Sequence, residues 1–130
     1  MDLTELLSTM PFALANGVEL TSASVDGVVG TLSWSTERCT AGGVLHGGAL
    51  MTLADSLGAI LAFLNLPEGA RATSTIESKT NLFRAVRQGV VTGTATVLHG
   101  GRSTVVVQTD LRDHEGRRVA LTIQTQSVLR

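Results

Sequence analysis

The sequence predicts an α+β domain in which an antiparallel sheet folds around one long apolar helix. Three observations lead there: helix formers with apolar residues at helical spacing from about 47 to 64, extended runs of period-two alternation on either side, and short turn-like connections. Short connections imply antiparallel neighbours, because a parallel pair needs a crossover of a dozen or more residues. At 130 residues the chain suits one core and reads as a single domain over 1–130, with no linker, repeat or low-complexity tract.

Residues 2 to about 9 (DLTELLST) suit a short helix. Two strands, Val18 to Val25 and Val28 to Trp34, turn around Asp26-Gly27, a dipeptide favoured in hairpins. In the second, Val28, Gly30, Leu32 and Trp34 share a face. Residues 36 to 46 form a polar, glycine-containing loop, and the helix from about 47 to 64 is terminated by Pro67 and Gly69. Four extended runs follow, near 73–84, 89–98, 103–112 and 118–128, with turns at Gly100-Gly101 and from Asp113 to Gly116. Val105, Val107, Thr109 and Leu111 alternate in one of them, and Val119, Leu121 and Ile123 in the last.

Ten basic against eleven acidic residues leave a net charge of −1, so the chain lacks a basic footprint for nucleic acid. Asp2 and Glu5 interrupt any secretory signal, no run of about 18 apolar residues is evident, and a soluble cytoplasmic protein is expected. The single Cys39 excludes an internal disulfide or a thiolate cluster within one chain. His46, His99 and His114 lack paired spacing, so no metal site is expected. Hydrophobic residues make up 43% of a small domain, which points to apolar surface covered by a second subunit.

On the long helix Leu50, Leu53, Leu57, Ile60 and Leu64 form the stripe that a sheet would cover, and Asp55 falls opposite. Gly48, Met51, Thr52, Ala59 and Ala62 surround Asp55, and no other charge occurs from Gly47 to Asn65. Both faces therefore need a cover, the second most simply from another copy. A carboxylate in such a seam must be paired, hydrogen-bonded or protonated. Gly47 and Gly48 stand about two turns earlier, where N–H groups lack internal partners and carry the positive end of the dipole. Those donors suit the oxygen of a thioester carbonyl as it becomes an oxyanion, with Asp55 as general base for water or as carboxylate nucleophile. Two turns amount to about 11 Å, so the groups meet through a bound substrate or across the seam.

The stretch "VLHGGALMTLADSLGAI" resembles the signature of hotdog-fold acyl-CoA thioesterases of the phenylacetate-pathway and 4-hydroxybenzoyl-CoA type. The likeness extends to "TIESKTNLFRAV" (75–86) and "LHGGRSTVVVQTDLRDHEGRRVA" (98–120). The resemblance implies a homodimer that assembles to a homotetramer, sites at subunit interfaces, an acyl-CoA substrate with an aryl or medium-chain acyl group, and no cofactor. By the same likeness Asp55 is the catalytic carboxylate, the Gly47 N–H polarises the carbonyl, His46 shapes the oxyanion site with Gly48, and Thr75 orients water. Arg102 and Ser103 match a hairpin that contacts the CoA nucleotide, Arg84 flanks the entrance, and Met51 faces the substrate. Many relatives carry Asn or Gln six residues before the motif histidine; this chain has Thr40, a shorter donor, to orient water or carbonyl. Ala85 stands where relatives often have Pro.

Other readings fit less well. Gly42 and Gly47 have the spacing of a phosphate loop, but Gly48 occupies the place of its lysine. A hydratase of the same fold carries an Asp-x-Asn-Pro-x-His stretch, and Pro11 and Pro67 lack that context. A non-catalytic acyl-CoA binding module would keep the helix and glycines but has no need of Asp55.

Overall fold

The computed structural model describes residues 2–130. Helix α1 spans Leu3–Ser8 and α2 Pro11–Ala15; β1 (Glu19–Ser24) and β2 (Gly27–Ser33) follow, then the long helix α3 (Gly47–Leu64) and strands β3 (Ala72–Leu82), β4 (Val90–Gly100), β5 (Thr104–Arg112) and β6 (Arg118–Leu129). The strands form one sheet in the order β1-β2-β4-β5-β6-β3, every pair antiparallel. All six pack against α3, so the sheet wraps the helix as its composition predicts.

The predicted stripe is the core. Leu50, Leu53, Leu57 and Ile60 are buried against Val28, Leu32, Val91, Val105, Val107 and Leu111, while Leu64 is only partly covered. Gly30 and Gly93 let two strands approach the helix, since a Cβ at either would press on Leu57. By length and composition α3 equals a membrane span, contrary to the expectation that no such run exists. A core helix meets the same criteria, and the sheet covers this one.

Four expectations are corrected. The β1–β2 loop is Val25-Asp26, one residue early, with Ser24 opposite Gly27 and the Asp26 N–H donating to Ser24 Oγ. Helix α2 goes unpredicted, being five residues that start on Pro11 and too short to show a period. Strands β3 and β4, consecutive in sequence, are not neighbours: residues 83–89 cross the end of the sheet, pinned by Phe83 N–H to Val119, Leu45 N–H to Val86 and Gly89 C=O to the Trp34 N–H. In β6 Val119 is buried, but from Ala120 onward the faces are reversed past an irregularity in the β5–β6 register: Thr122, Gln124 and Gln126 point inward and are buried, whereas Ile123 is exposed. A one-residue shift in phase inverts every side chain of a strand.

The Asp113–Gly116 turn is held by one carboxylate. Asp113 accepts from the N–H groups of Glu115 and Arg117 and from the Arg117 guanidinium, at 2.9 to 3.0 Å. Desolvation pulls its titration upward, but these bonds outweigh that and hold it below the usual carboxylate range. A depressed folded value gives stability that is complete above the unfolded value and lost as pH falls through the folded one. Asp113→Asn is therefore expected to lower Tm at pH 7 and to have progressively less effect as pH falls below the usual carboxylate range, as read by thermal melts at descending pH.

Candidate active site

Helix α3 begins on backbone designed to present donors. His46 is its N-cap, in extended geometry (φ −61°, ψ 134°), and its own N–H donates to Arg38 C=O at 2.8 Å. The His46 Nδ1 accepts from the Gly48 N–H at 2.7 Å, so the neutral ring carries its proton on Nε2. This corrects the expectation of two free glycine donors: Gly48 is engaged by His46, and Gly47 alone has an N–H with no acceptor among the described residues. His46 thus shapes the helix start rather than facing the same cleft as Gly47.

Gly47 opens onto a cleft of about 330 Å³ that also involves Thr40, Leu50, Leu82, Phe83 and Arg84. Thr40 is fixed at its rim by an N–H bond to Val44 C=O at 2.8 Å. Thr40, Gly47 and Arg84 therefore come together in one chain, at the end of the sheet where β3 finishes.

Asp55 lies elsewhere. Eight residues along α3 place it about 12 Å from Gly47, exposed on the outer side, with Oδ1 accepting from Gln124 Nε2 at 3.1 Å. Two residues further on β6, Gln126 Nε2 donates to Thr75 Oγ1 at 2.7 Å. Alternate strand residues share a face about 7 Å apart, so neighbouring inward positions of β6 anchor Asp55 and Thr75. Met51 sits exposed one turn before Asp55. Beyond Asp55, Ala59, Ile60 and Phe63 form an apolar groove of about 250 Å³ with Leu6, Thr9 and Met10. Ala62, expected beside Asp55 on the partner face, is instead buried within the chain.

Arg102 and Ser103 occupy the exposed β4–β5 turn, near the start of β3 and the end of β6. They lie at the opposite end of the sheet from Gly47. Within one chain the candidates thus form two sets, Thr40–Gly47–Arg84 and Asp55–Thr75–Arg102–Ser103. Sequence reasoning missed Gln124 and Gln126; two amides at inward positions of a strand were the available signal. Among the described residues no three of His, Cys, Asp and Glu cluster as metal ligands.

Residues 42–120, spanning the glycine motif, α3 and the last hairpin, match the thioesterase superfamily. The chain belongs to that superfamily. A Vibrio cholerae protein described as a candidate esterase is 42% identical over 88 residues, 68% of this chain and 58% of that protein. The 1,4-dihydroxy-2-naphthoyl-CoA hydrolase of Escherichia coli is 34% identical over 87 residues, 67% of this chain and 63% of the hydrolase. The chain thus spans about three-fifths of the length of these two superfamily relatives. Among solved structures, the thioesterase HI1161 of Haemophilus influenzae superposes with a TM-score of 0.90 at 30% identity, covering 99% of this chain and 91% of that one. The six-stranded sheet around one helix is therefore the hotdog fold of superfamily thioesterases, and the superfamily is one of thioester hydrolases.

Proposed function

We propose that the chain is a cytoplasmic acyl-CoA thioesterase, acting without metal or organic cofactor on an aryl- or medium-chain acyl-CoA to give the free acid and CoA. The observation that carries this is a lone carboxylate, Asp55, on the same helix as a free helix-terminal N–H at Gly47, in a superfamily of thioesterases. The Gly47 N–H holds the carbonyl oxygen as it gains charge. Asp55 either takes a proton from water that attacks the carbonyl carbon or attacks that carbon itself; the C–S bond breaks and CoA leaves as thiolate, and in the second case water then hydrolyses the Asp55 anhydride to release the acid and restore the carboxylate. Thr40 and Thr75 orient carbonyl and water. The apolar groove past Asp55 favours an uncharged acyl group, and Arg84, Arg102 and Ser103 suit the CoA phosphates.

The two sets of residues meet if the site is shared. Strand β3 is an edge with an unpaired outer side; Ile76 is 64% exposed near its middle, and Leu82 and Phe83 are exposed where it ends. An edge strand of eleven residues with unpaired backbone groups is a template for a second copy. Antiparallel pairing about a two-fold axis sets the start of one β3 beside the end of the other. Thr75 and Asp55 of one protomer then approach the Gly47 cleft of its partner, and pairs of such dimers form the tetramer.

The test is release of CoA thiol from a panel of benzoyl-, phenylacetyl-, naphthoyl- and C6–C12 acyl-CoA esters. Turnover of at least one of them is expected; tight binding of the panel without turnover would instead mark a binding module. Ile76→Glu sets like charges at the paired edge and is expected to weaken the dimer at least about tenfold, lowering activity in parallel. Sedimentation at micromolar concentration reads this, and a fully active monomer would end the shared-site reading.

A further inference from the structure

The inward face of β6 departs from ordinary core chemistry. Gln124 and Gln126 are 0% and 1% exposed, opposite Val107 and Val105 on β5, with Gly58 of α3 against Gln124. An ionised carboxylate accepts hydrogen bonds and offers none, so the Gln124 amide must turn its nitrogen to Asp55 Oδ1. Its Oε1 then points back at α3, buried and without a partner. That orientation is possible because residue 58 is glycine: a Cβ there would collide with Gln124 Oε1. An unpaired buried carbonyl lowers stability relative to an aliphatic side chain. Fold stability alone therefore does not account for Gln124, and its one bond is to the carboxylate.

We infer that Gln124, seated in the notch left by Gly58, is a positioning residue that fixes Asp55 Oδ1 and presents Oδ2 to the substrate. Gln126 does the same for Thr75: by donating to Oγ1 it leaves the hydroxyl proton free to donate to the carbonyl or the attacking water. The inference rests on Asp55 being the reacting carboxylate.

Kinetics of Gln124→Leu and Gly58→Ala test it, alone and combined with Asp55→Asn. Gln124→Leu is expected to fold with an unchanged or higher Tm and to lose about tenfold in kcat with KM within twofold, as for a misplaced catalytic group. Gly58→Ala, which displaces the amide while keeping Gln124, is expected to show the same split. In the Asp55→Asn background Gln124→Leu should change kcat less than twofold, because residues acting as one unit are not additive. A Gln124→Leu enzyme at wild-type kcat while Asp55→Ala is inactive overturns the positioning role and leaves the site reading intact. So does an equal loss in both backgrounds, or a fall in Tm with kcat and KM moving together. Wild-type turnover by Asp55→Ala defeats the site reading and the positioning role together.

Discussion

Asp55→Asn is expected to lower kcat on the best acyl-CoA at least about 100-fold, close to 2.7 kcal/mol of transition-state stabilisation, while leaving Tm and KM near wild type. Asparagine is the informative replacement because the site can keep its geometry. Its amide occupies the carboxylate's volume, and Gln124 can rotate to offer Oε1 in place of Nε2, so the contact across to β6 survives while the charge is lost. Asp55 is exposed in the protomer, so the substitution removes no core contact. Asp55→Ala removes both charge and contact and should be at least as impaired. Retention of wild-type kcat by both variants would exclude the carboxylate from the chemistry. Single turnover in labelled water, with trapping of the enzyme, then divides its two roles: label in the Asp55 carboxylate or a trapped anhydride marks a nucleophile, whereas label in the released acid with no anhydride trapped marks a base.

The central helix was legible because periodicity, flanking glycines and terminating Pro67 all agree, and its observed limits, Gly47–Leu64, match the reading. Asp55 stood out as the one charge from Gly47 to Asn65, and the structure places it on the outer side of α3 with Gln124 donating to it. Strand β3 was found but misplaced. Local alternation records which residues pair with a surface and not which strand supplies it, and residues 83–89 carry the chain across the sheet by backbone bonds that leave no pattern. In β6, Leu121 and Ile123 look like the inward set, yet Gln124 and Gln126 face α3 and bond Asp55 and Thr75, its neighbours in space and not in sequence. The hydrogen bond from Gly48 to His46 escaped for a different reason, since the spacing of a histidine and two glycines does not say which amide the ring captures.

That bond makes Gly47 the position where the oxyanion contribution can be isolated. Gly47→Pro removes a single N–H and is expected to cost about 100-fold or more in kcat, the scale for loss of one oxyanion donor. Proline is suited to the first position of a helix, where its missing donor leaves no intrahelical bond unmade. The residue before it must be extended, and His46 already is, at ψ 134°. The added ring meets Leu82 Cδ1, the far end of a flexible side chain, so the helix is expected to form with Tm little changed. Gly47→Ala is the control: it brings the same Cβ against Leu82 but keeps the N–H, so the ratio of alanine to proline variants reports the donor without the crowding. Equal turnover by the two would show that the carbonyl oxygen is held elsewhere. Gly48→Ala cannot substitute as a test, because its Cβ would press against the His46 ring at 2.8 Å and disturb the cap before any donor was lost.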